Sequence, residues 1–587
     1  MKLSPESKIA GVLAPLFALR GENDLGIGDI GALREFIGWA ARQGFRVVQL
    51  LPVNETGNDN SPYNAISSVA LDPGTIEITP QALPDLRDED ASHALSGIDM
   101  DTLCRGPVKY GAVKALKRNL LRRAYDRFIA GNWQRNDARS RDFQQFIKDE
   151  ADWIEGYALY RVLMEQNEAG ERWDLWPEGQ RTFAEACAWL EGQPAKVREE
   201  LEREIRFVMY IQWIAFTQWR AIREEADRQG VALMGDVPFG VSYYSADVFA
   251  DPEIFDHEWS GGAPPEPLFK DDPFTVKWGQ NWGVPLYRWN VLQKRNLDWW
   301  RQRVGKVREM FHFFRIDHVL GFYRIYAFPW RPQRNGEFLP LTKEEAVKVT
   351  GGELPRFHDN DDETPKHRDA NCRNGEDRLR PLIEEAGEYR LIGEDLGTVP
   401  PYVRPSLERL RISGFKVPQW ETRQSDQQLT PGADYLRLSV ATHATHDHEP
   451  LRAQWDRWMS VIARAEYDSS PAAAQARETA WWEVRRIAGW CKFEVPRIMP
   501  FQGKPHQRFL AGLLECNSWM AIFMITDLFG TSQRFNVPGA VADSNWSERL
   551  DQPISAWEKD PALAASMKTF SQDLVASGRA GSPAAGV

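Results

Sequence analysis

Apolar positions along the chain follow two rhythms that alternate. Leu33, Phe36, Ile37 and Ala40 recur at helical spacing, with Asp29 placed to cap the helix start and Gly44 placed to end it. The run "FRVVQLLPV" (45–53) follows, and it is apolar almost throughout, as a strand buried on both faces is. Residues 203–229 repeat the unit: Phe207, Tyr210, Ile211 and Ile214 share a face, Gly230 comes next, and "VALMGDVPF" after it. A third copy lies near 380–394, in "LRPLIEEAGEYRLIGED". Helix–strand alternation of this kind implies right-handed βαβ units and a parallel sheet. Strand candidates fall near 9–17, 45–53, 231–237, 311–317, 389–394, 413–419, 436–442 and 518–526. Eight is the number that closes a barrel. The expected fold is therefore α/β: a (β/α)8 TIM barrel with large, mainly helical insertions. An open doubly wound sheet also fits the alternation, but no GxGxxG fingerprint supports it.

The spacing between strand candidates is uneven, which places the insertions. One barrel domain is expected over 1–570. The stretch from about 75 to 228 is too long for a loop and helical in pattern, so it reads as an inserted helical subdomain. Residues 243–300, rich in Pro, Gly and Trp, are expected as loops draped over the carboxyl ends of the strands. A further helical insertion is expected over 443–517, and a small, polar tail at 571–587 reads as disordered. The segment "HDNDDE" within 355–378 matches no metal-loop spacing and reads as a solvated loop, so no metal is expected. Near the start, "SKIAGVLAPLFALRG" has signal-peptide length, but Pro15 interrupts it and no small-residue cleavage site follows. It reads as the first barrel strand.

Composition narrows the class of protein. The 587 residues are 42% hydrophobic, enough for a packed core, and carry a net charge of −12 from 72 basic and 84 acidic side chains. No basic stripe stands out, which argues against nucleic acid as a partner. No apolar run is long enough to span a membrane. Five scattered cysteines (Cys104, Cys187, Cys372, Cys491 and Cys516) include no CxxC pair. A disulfide framework or zinc site is not expected, and a reducing, cytoplasmic location is. Nothing in the sequence sets an oligomeric state. Tryptophan is abundant, with 24 copies; most suit packing, and a minority suit stacking on the axial C–H faces of sugar rings.

Three acids stand just past apolar strand-like runs: Asp317 in "FHFFRIDHVLGFYR", Glu394 in "YRLIGEDLGTVP" and Asp447 in "LRLSVATHATHDH". In a barrel this is the face that carries chemistry. Cleaving a glycosidic bond with retention needs a carboxylate nucleophile and a carboxylic acid, about 5 Å apart. Asp317 suits the nucleophile, with Arg315 two residues earlier on the same side of the strand. Glu394 suits the acid/base, because its longer side chain reaches over the leaving oxygen and neighbouring negative charges favour its protonated form. His318, His446 and Asp447 suit hydroxyl recognition. Each acid alone has a structural reading; three together at strand ends favour chemistry on a sugar acetal.

The motifs then become specific. The chain carries "LGIGDIG" (25–31), "SPYNAISSVALDP" (61–73), "MGDVPFGVSYYSADVFADPEIF" (234–255), "GQNWGVPLYRW" (279–289), "FRIDHVLGFYRIYAFP" (314–329), "GEDLGTVPPYV" (393–403), "GFKVPQW" (414–420), "THDH" (445–448) and "NVPG" (536–539). In these segments, almost end to end, it resembles the amylomaltase (disproportionating enzyme) family of 4-α-glucanotransferases, glycoside hydrolase family 77, related to the α-amylases. The resemblance implies Asp317 as nucleophile, Glu394 as acid/base and Asp447 as transition-state stabiliser. It implies Arg315, His318 and His446 around the reacting glucose and Asp236 after the third strand. It places Tyr63, Gln280 and Trp282 on covering loops at donor or acceptor positions, and Asn536 at a further sugar contact. Tyr63 and Trp282 serve either as such contacts or as braces of their loops. The implied substrates are α-1,4-glucans and malto-oligosaccharides, with no cofactor. An α-amylase-like hydrolase and a silent glucan-binding protein are the alternatives. The chain departs from the family pattern in "FALRGEND", in "NDNSPYN" and at His448, where Asn or Thr is usual. His448 either tunes Asp447 or is a loop residue.

Overall fold

The computed structural model describes residues 4–57, 59–266, 272–423, 425–464, 468, 470–538 and 544–581. The strands, in chain order, are β1 (Ile9–Leu13), β2 (Val47–Gln49), β3 (Ala232–Val237), β4 (Phe255–Ala263), β5 (Gln280–Tyr287), β6 (Phe313–Ile316), β7 (Ile325–Phe328), β8 (Arg356–His358), β9 (Leu391–Gly393), β10 (Ser413–Lys416), β11 (Ser439–Ala441) and β12 (Met520–Met524). Eight of them close a barrel in the order β1-β12-β11-β10-β9-β6-β3-β2, and every neighbour pair is parallel. These eight are the eight apolar runs of the sequence, each trimmed where its end turns into a loop. The barrel strands are buried nearly throughout, with β1, β3, β6 and β12 buried at every position. That is why their sequences show no polar alternation.

The helices that precede strands follow their sequence signals. Asp29 caps helix Ile30–Arg42 by accepting from the Gly31 and Ala32 amides. Its other oxygen pairs at 3.1 Å with Lys117 of helix Tyr110–Phe128, which ties the helical insertion to the barrel. The insertion ends in the 34-residue helix Ala195–Arg228. Its aromatic face, with Tyr210 and Trp213, packs on Tyr125, Phe128 and Phe143. These residues belong to the same apolar cluster as the barrel strands. Helices Leu451–Arg464, Pro471–Trp490 and Lys504–Leu514 instead enclose a smaller core around Trp455, Val484, Ile487 and Phe509.

Two stretches differ from expectation. Within 243–300 the chain forms strands, not loops alone: β4 and β5 pair antiparallel and join β7 and β8 in a second sheet, order β5-β4-β7-β8. Gly262 permits this pairing, since a Cβ there would lie 1.9 Å from the Gln280 carbonyl oxygen. Glycine and proline concealed these strands, because both are poor strand formers in isolation. The acids of "HDNDDE" carry local partners: Asp359 pairs with Arg378 at 2.7 Å, Asp361 with His367 at 2.6 Å and Asp362 with Arg324 at 3.1 Å.

The tail is the second difference. Disorder was expected from 571, but helix Pro561–Ala576 continues through it, burying Met567, Phe570 and Leu574. Phe570 sits 5.0 Å from Phe523 of β12. Beyond the helix, Arg579 is wholly buried and donates to the carbonyls of Ile9, Leu514, Cys516, Ser518 and Trp519. Small residues made this segment look unstructured; the carbonyls at the base of the barrel supply the order. Residues 582–587 of the expected tail, and Gly539 of "NVPG", lie outside the described residues. Among the described residues, no helix is long and apolar enough to cross a membrane.

Candidate active site

The register of the barrel assembles the site. Asp236 of β3 lies directly beside Arg315 of β6, and Arg315 beside Ile392 of β9. The hydrogen-bond ladder runs on past the paired residues: the Asp317 amide donates to the Val237 carbonyl, and the Glu394 amide to Ile316. Asp317 follows Arg315 by two and Glu394 follows Ile392 by two. Both acids therefore point the same way as the pair beneath them, into the mouth of the barrel.

Arg315 is the hub. Its Nη1 donates to Asp236 Oδ2 at 2.5 Å and its Nη2 to Asp317 Oδ1 at 2.7 Å. The guanidinium is buried, and the two carboxylates compensate its charge. Burial pushes the Asp236 carboxyl up, against the pull of Arg315. Tyr63 donates its hydroxyl to the same Asp236 oxygen at 2.7 Å, and its ring stacks on His446 with centroids 4.9 Å apart. The tyrosine thus links β3 to the loop after β11 and braces its own loop at once.

Glu394 accepts a hydrogen bond from the His318 backbone amide at 2.8 Å. His318 has φ 46°, in the left-handed region that costs an ordinary side chain about 1 kcal/mol or more. The turn points its amide at the carboxyl. Burial pushes Glu394 up to about 8, helped by the charge of Asp317 and opposed by Arg315. Burial also pushes the His318 imidazole down to about 4, so the ring is neutral near pH 7. Above it, Trp282 of β5 meets the imidazole edge to face at 4.8 Å and donates to Gln280 Oε1 at 3.1 Å. The second sheet thereby brings Gln280 and Trp282 over the site, with the indole 38% exposed toward solvent.

Asp447 sits further from its strand, in the loop after β11. Its Oδ2 lies 3.1 Å from His446 Nε2, and its Oδ1 accepts from Asn536 Nδ2 at 2.6 Å. Burial works to raise this carboxyl, but His446, Asn536 and Arg315 outweigh it and hold the group well below the usual carboxylate range. His448 faces elsewhere. Its Nδ1 accepts from the Thr445 amide at 3.1 Å, and its ring meets Trp420 edge to face at 4.5 Å. Burial pushes it down to about 4.

All eleven expected residues thus join one constellation. One run of contacts links Asn536, Asp447, His446, Tyr63, Asp236, Arg315 and Asp317; another links Glu394, His318, Trp282 and Gln280. Sequence reasoning did not single out three residues that the structure adds. Arg534 Nη2 donates to the Asp447 carbonyl at 2.7 Å and anchors its loop. Asp395, buried beneath Glu394, accepts from the Phe415 amide at 2.6 Å and pairs with Arg404 at 2.9 Å. Trp420, 47% exposed, flanks the mouth beside His448. The doubled acid of "GED" and the tryptophan of "PQW" were the available signals; Arg534 had none.

Three carboxyl groups and a buried arginine at the carboxyl face of a closed parallel barrel make up the site, on the face where barrel enzymes carry their chemistry. The chain belongs to the 4-alpha-glucanotransferase family, glycoside hydrolase family 77, whose model matches residues 14–554. It is 30% identical to the 4-alpha-glucanotransferase of Thermus thermophilus over 538 residues, 89% of this chain and 91% of that protein. The enzyme of the same name from Chlamydia pneumoniae is 29% identical over 557 residues, covering 94% and 92%. Among solved structures, the amylomaltase of Streptococcus agalactiae in complex with acarbose superposes with a TM-score of 0.73 at 20% identity, over 98% of this chain and all of that one. The Corynebacterium glutamicum amylomaltase gives 0.72 at 20% identity, over 96% and 75%. At that identity the two structures corroborate the fold.

Proposed function

We propose that this enzyme moves segments of α-1,4-glucan from a donor chain to the 4-hydroxyl of an acceptor, with Asp317, Glu394 and Asp447 as its catalytic residues. Asp317 Oδ2 attacks the anomeric carbon while Arg315 holds Oδ1 in place. Glu394 protonates the departing glycosidic oxygen, and a β-linked glycosyl–Asp317 ester forms. Glu394, now a carboxylate, then takes the proton of the incoming sugar hydroxyl as that oxygen attacks, and the α-bond is remade. Asp447 stays ionised and stabilises the positive charge that develops on the sugar. Asp236, His446, His318 and Asn536 present hydrogen-bonding atoms to the ring hydroxyls. Trp282 and Gln280 cover the site and disfavour water as the acceptor. The unpaired thiols, including buried Cys491 and Cys516, suit a reducing, cytoplasmic setting.

Most directly, the cluster divides its acids: Glu394 is pushed up to about 8 while Asp447 is held far down. Two roles for carboxyl groups are what the double displacement requires. Incubation with maltotriose tests the proposal. Glucose plus a ladder of longer malto-oligosaccharides, with total reducing ends constant, is expected. A steady rise in reducing ends with no longer product would make the enzyme a hydrolase. No conversion at all would make it a binding protein.

A further inference from the structure

Helix Pro471–Trp490 has a buried face and, next to it, a face that lines open space among the described residues, with Trp481 partly buried against the small core. Ala480, Val484, Ile487 and Ala488 enter the small core of the insertion. On the adjoining face Arg477, Glu478, Trp481, Trp482 and Arg485 follow one another at helical spacing. With Gln428 they line an open cleft of about 850 Å³. Trp482 is 48% exposed, and both arginines near the tryptophans lie over their rings: Arg485 over Trp481 at 5.2 Å and Arg486 over Trp482 at 4.4 Å. Neither tryptophan is used by the mechanism. Contacts link the wall of the cleft to the mouth of the barrel: Arg486 donates to the Gln419 carbonyl at 3.4 Å, and the next residue, Trp420, meets His448 edge to face.

We propose that this cleft is a second glucan-binding site, which holds the distal part of a long α-glucan whose reacting end lies at Asp317. Broad aromatic faces accept the axial C–H faces of glucose units. Arg477, Arg485, Glu478 and Gln428 offer paired donors and acceptors for vicinal hydroxyls, and a neutral polysaccharide makes no demand on net charge. The proposal rests on the glucan-transfer reading, and it concerns long substrates only.

The test is Trp482→Ala, with Trp482→Phe as the conservative variant and Arg485→Gln as a second probe should Trp482→Ala melt early. The KM for amylose is expected to rise about fivefold in Trp482→Ala and to recover in Trp482→Phe, while kcat/KM for maltotriose stays within about twofold. In an amylose-containing native gel, retardation of the inactive Asp317→Asn protein should fall when Trp482→Ala is added. An unchanged KM and unchanged retardation would overturn the proposal, as would an equal loss on maltotriose. Concentration-dependent self-association abolished by Trp482→Ala, without a glucan effect, would instead assign the face to a second copy of the chain. Failure of the wild type to rearrange maltotriose sinks the transfer reading by itself; gel retardation still reports on this cleft.

Discussion

Two buried arginines sit at opposite ends of the same barrel, and their surroundings differ completely. Arg315, at the carboxyl face, lies between Asp236 and Asp317 and within the field of Glu394. Arg579, at the base, meets only backbone: five carbonyls from the loop before β12 and from the first residues at the β1–β12 seam. The acids raise Arg315 well above its ordinary range, whereas burial without a carboxylate lowers Arg579 to about 10. Both cations are expensive to bury. At the base the cost is met by closing the barrel seam and pinning the C-terminal helix. At the mouth it keeps carboxylates assembled where substrate arrives. The same residue type is a latch in one place and part of the machinery in the other.

Substitution should separate the two ends. The largest effect is expected for Asp317→Asn, which removes the proposed nucleophile that Arg315 holds: transfer and hydrolysis should both fall by about four orders of magnitude or more. Melting temperature should stay within a few degrees of wild type, because the carboxylate is 30% exposed and its amide replacement can still accept from Arg315. Near-normal turnover by the purified variant would remove Asp317 from the role.

Arg579→Met should do the converse. Stranding five carbonyls and opening the seam is expected to cost about 3 kcal/mol or more in chemical denaturation, while kcat per folded molecule is unchanged. A stable Arg579→Met protein, or one that folds normally with impaired kcat, would dissolve the contrast between latch and machinery.

Glu394 offers a finer test at the mouth. Its protonated form is the proposed acid for the first step, and its value of about 8 places that form in excess at neutral pH. The kcat/KM for maltotriose should therefore fall as pH rises through about 8, tending to tenfold per unit beyond it. Glu394→Ala should lose most activity on glucans yet keep the first step with α-glucosyl fluoride, whose leaving group needs no proton. An equal loss on both donors would argue against this residue as the proton donor.

The smallest effect is expected at His448. Held by Thr445 and Trp420 and pushed down to about 4, it is neutral across the working range. His448→Asn should change kcat/KM by less than about threefold and leave the basic limb of the pH profile in place. A displaced limb would show that the ring does act on Asp447.

Much of the mouth was legible before any coordinates. Asp317 and Glu394 follow short, mainly apolar runs, and a parallel barrel strand buried on both faces leaves little choice about where the polar residue at its carboxyl end points. Asp447 was harder to place, because it stands beyond its strand in a loop held by distant partners, Asn536 and Arg534, as well as by its neighbour Thr445. The base was misread. "VASGRAGSPAAGV" has the composition of a loose tail, and the ordering of Arg579 depends on carbonyls contributed by residues far away in sequence.

What the sequence determined by itself was periodic or local: eight apolar runs, the helices between them, the cap at Asp29, and two acids at strand ends, Asp317 and Glu394. These follow from burial and from neighbours within a few residues, which any stretch of chain carries with it. The tertiary structure alone decided the second sheet of β4, β5, β7 and β8, whose pairing depends on a close approach at Gly262. It decided that Asp236 should meet Arg315, and that Glu394 should lie under a left-handed His318 and hold its proton. It also decided that the last arginine described should lock the seam. A proton affinity or a hydrogen-bond partner belongs to a place in space, and that place exists only once distant segments have closed around it.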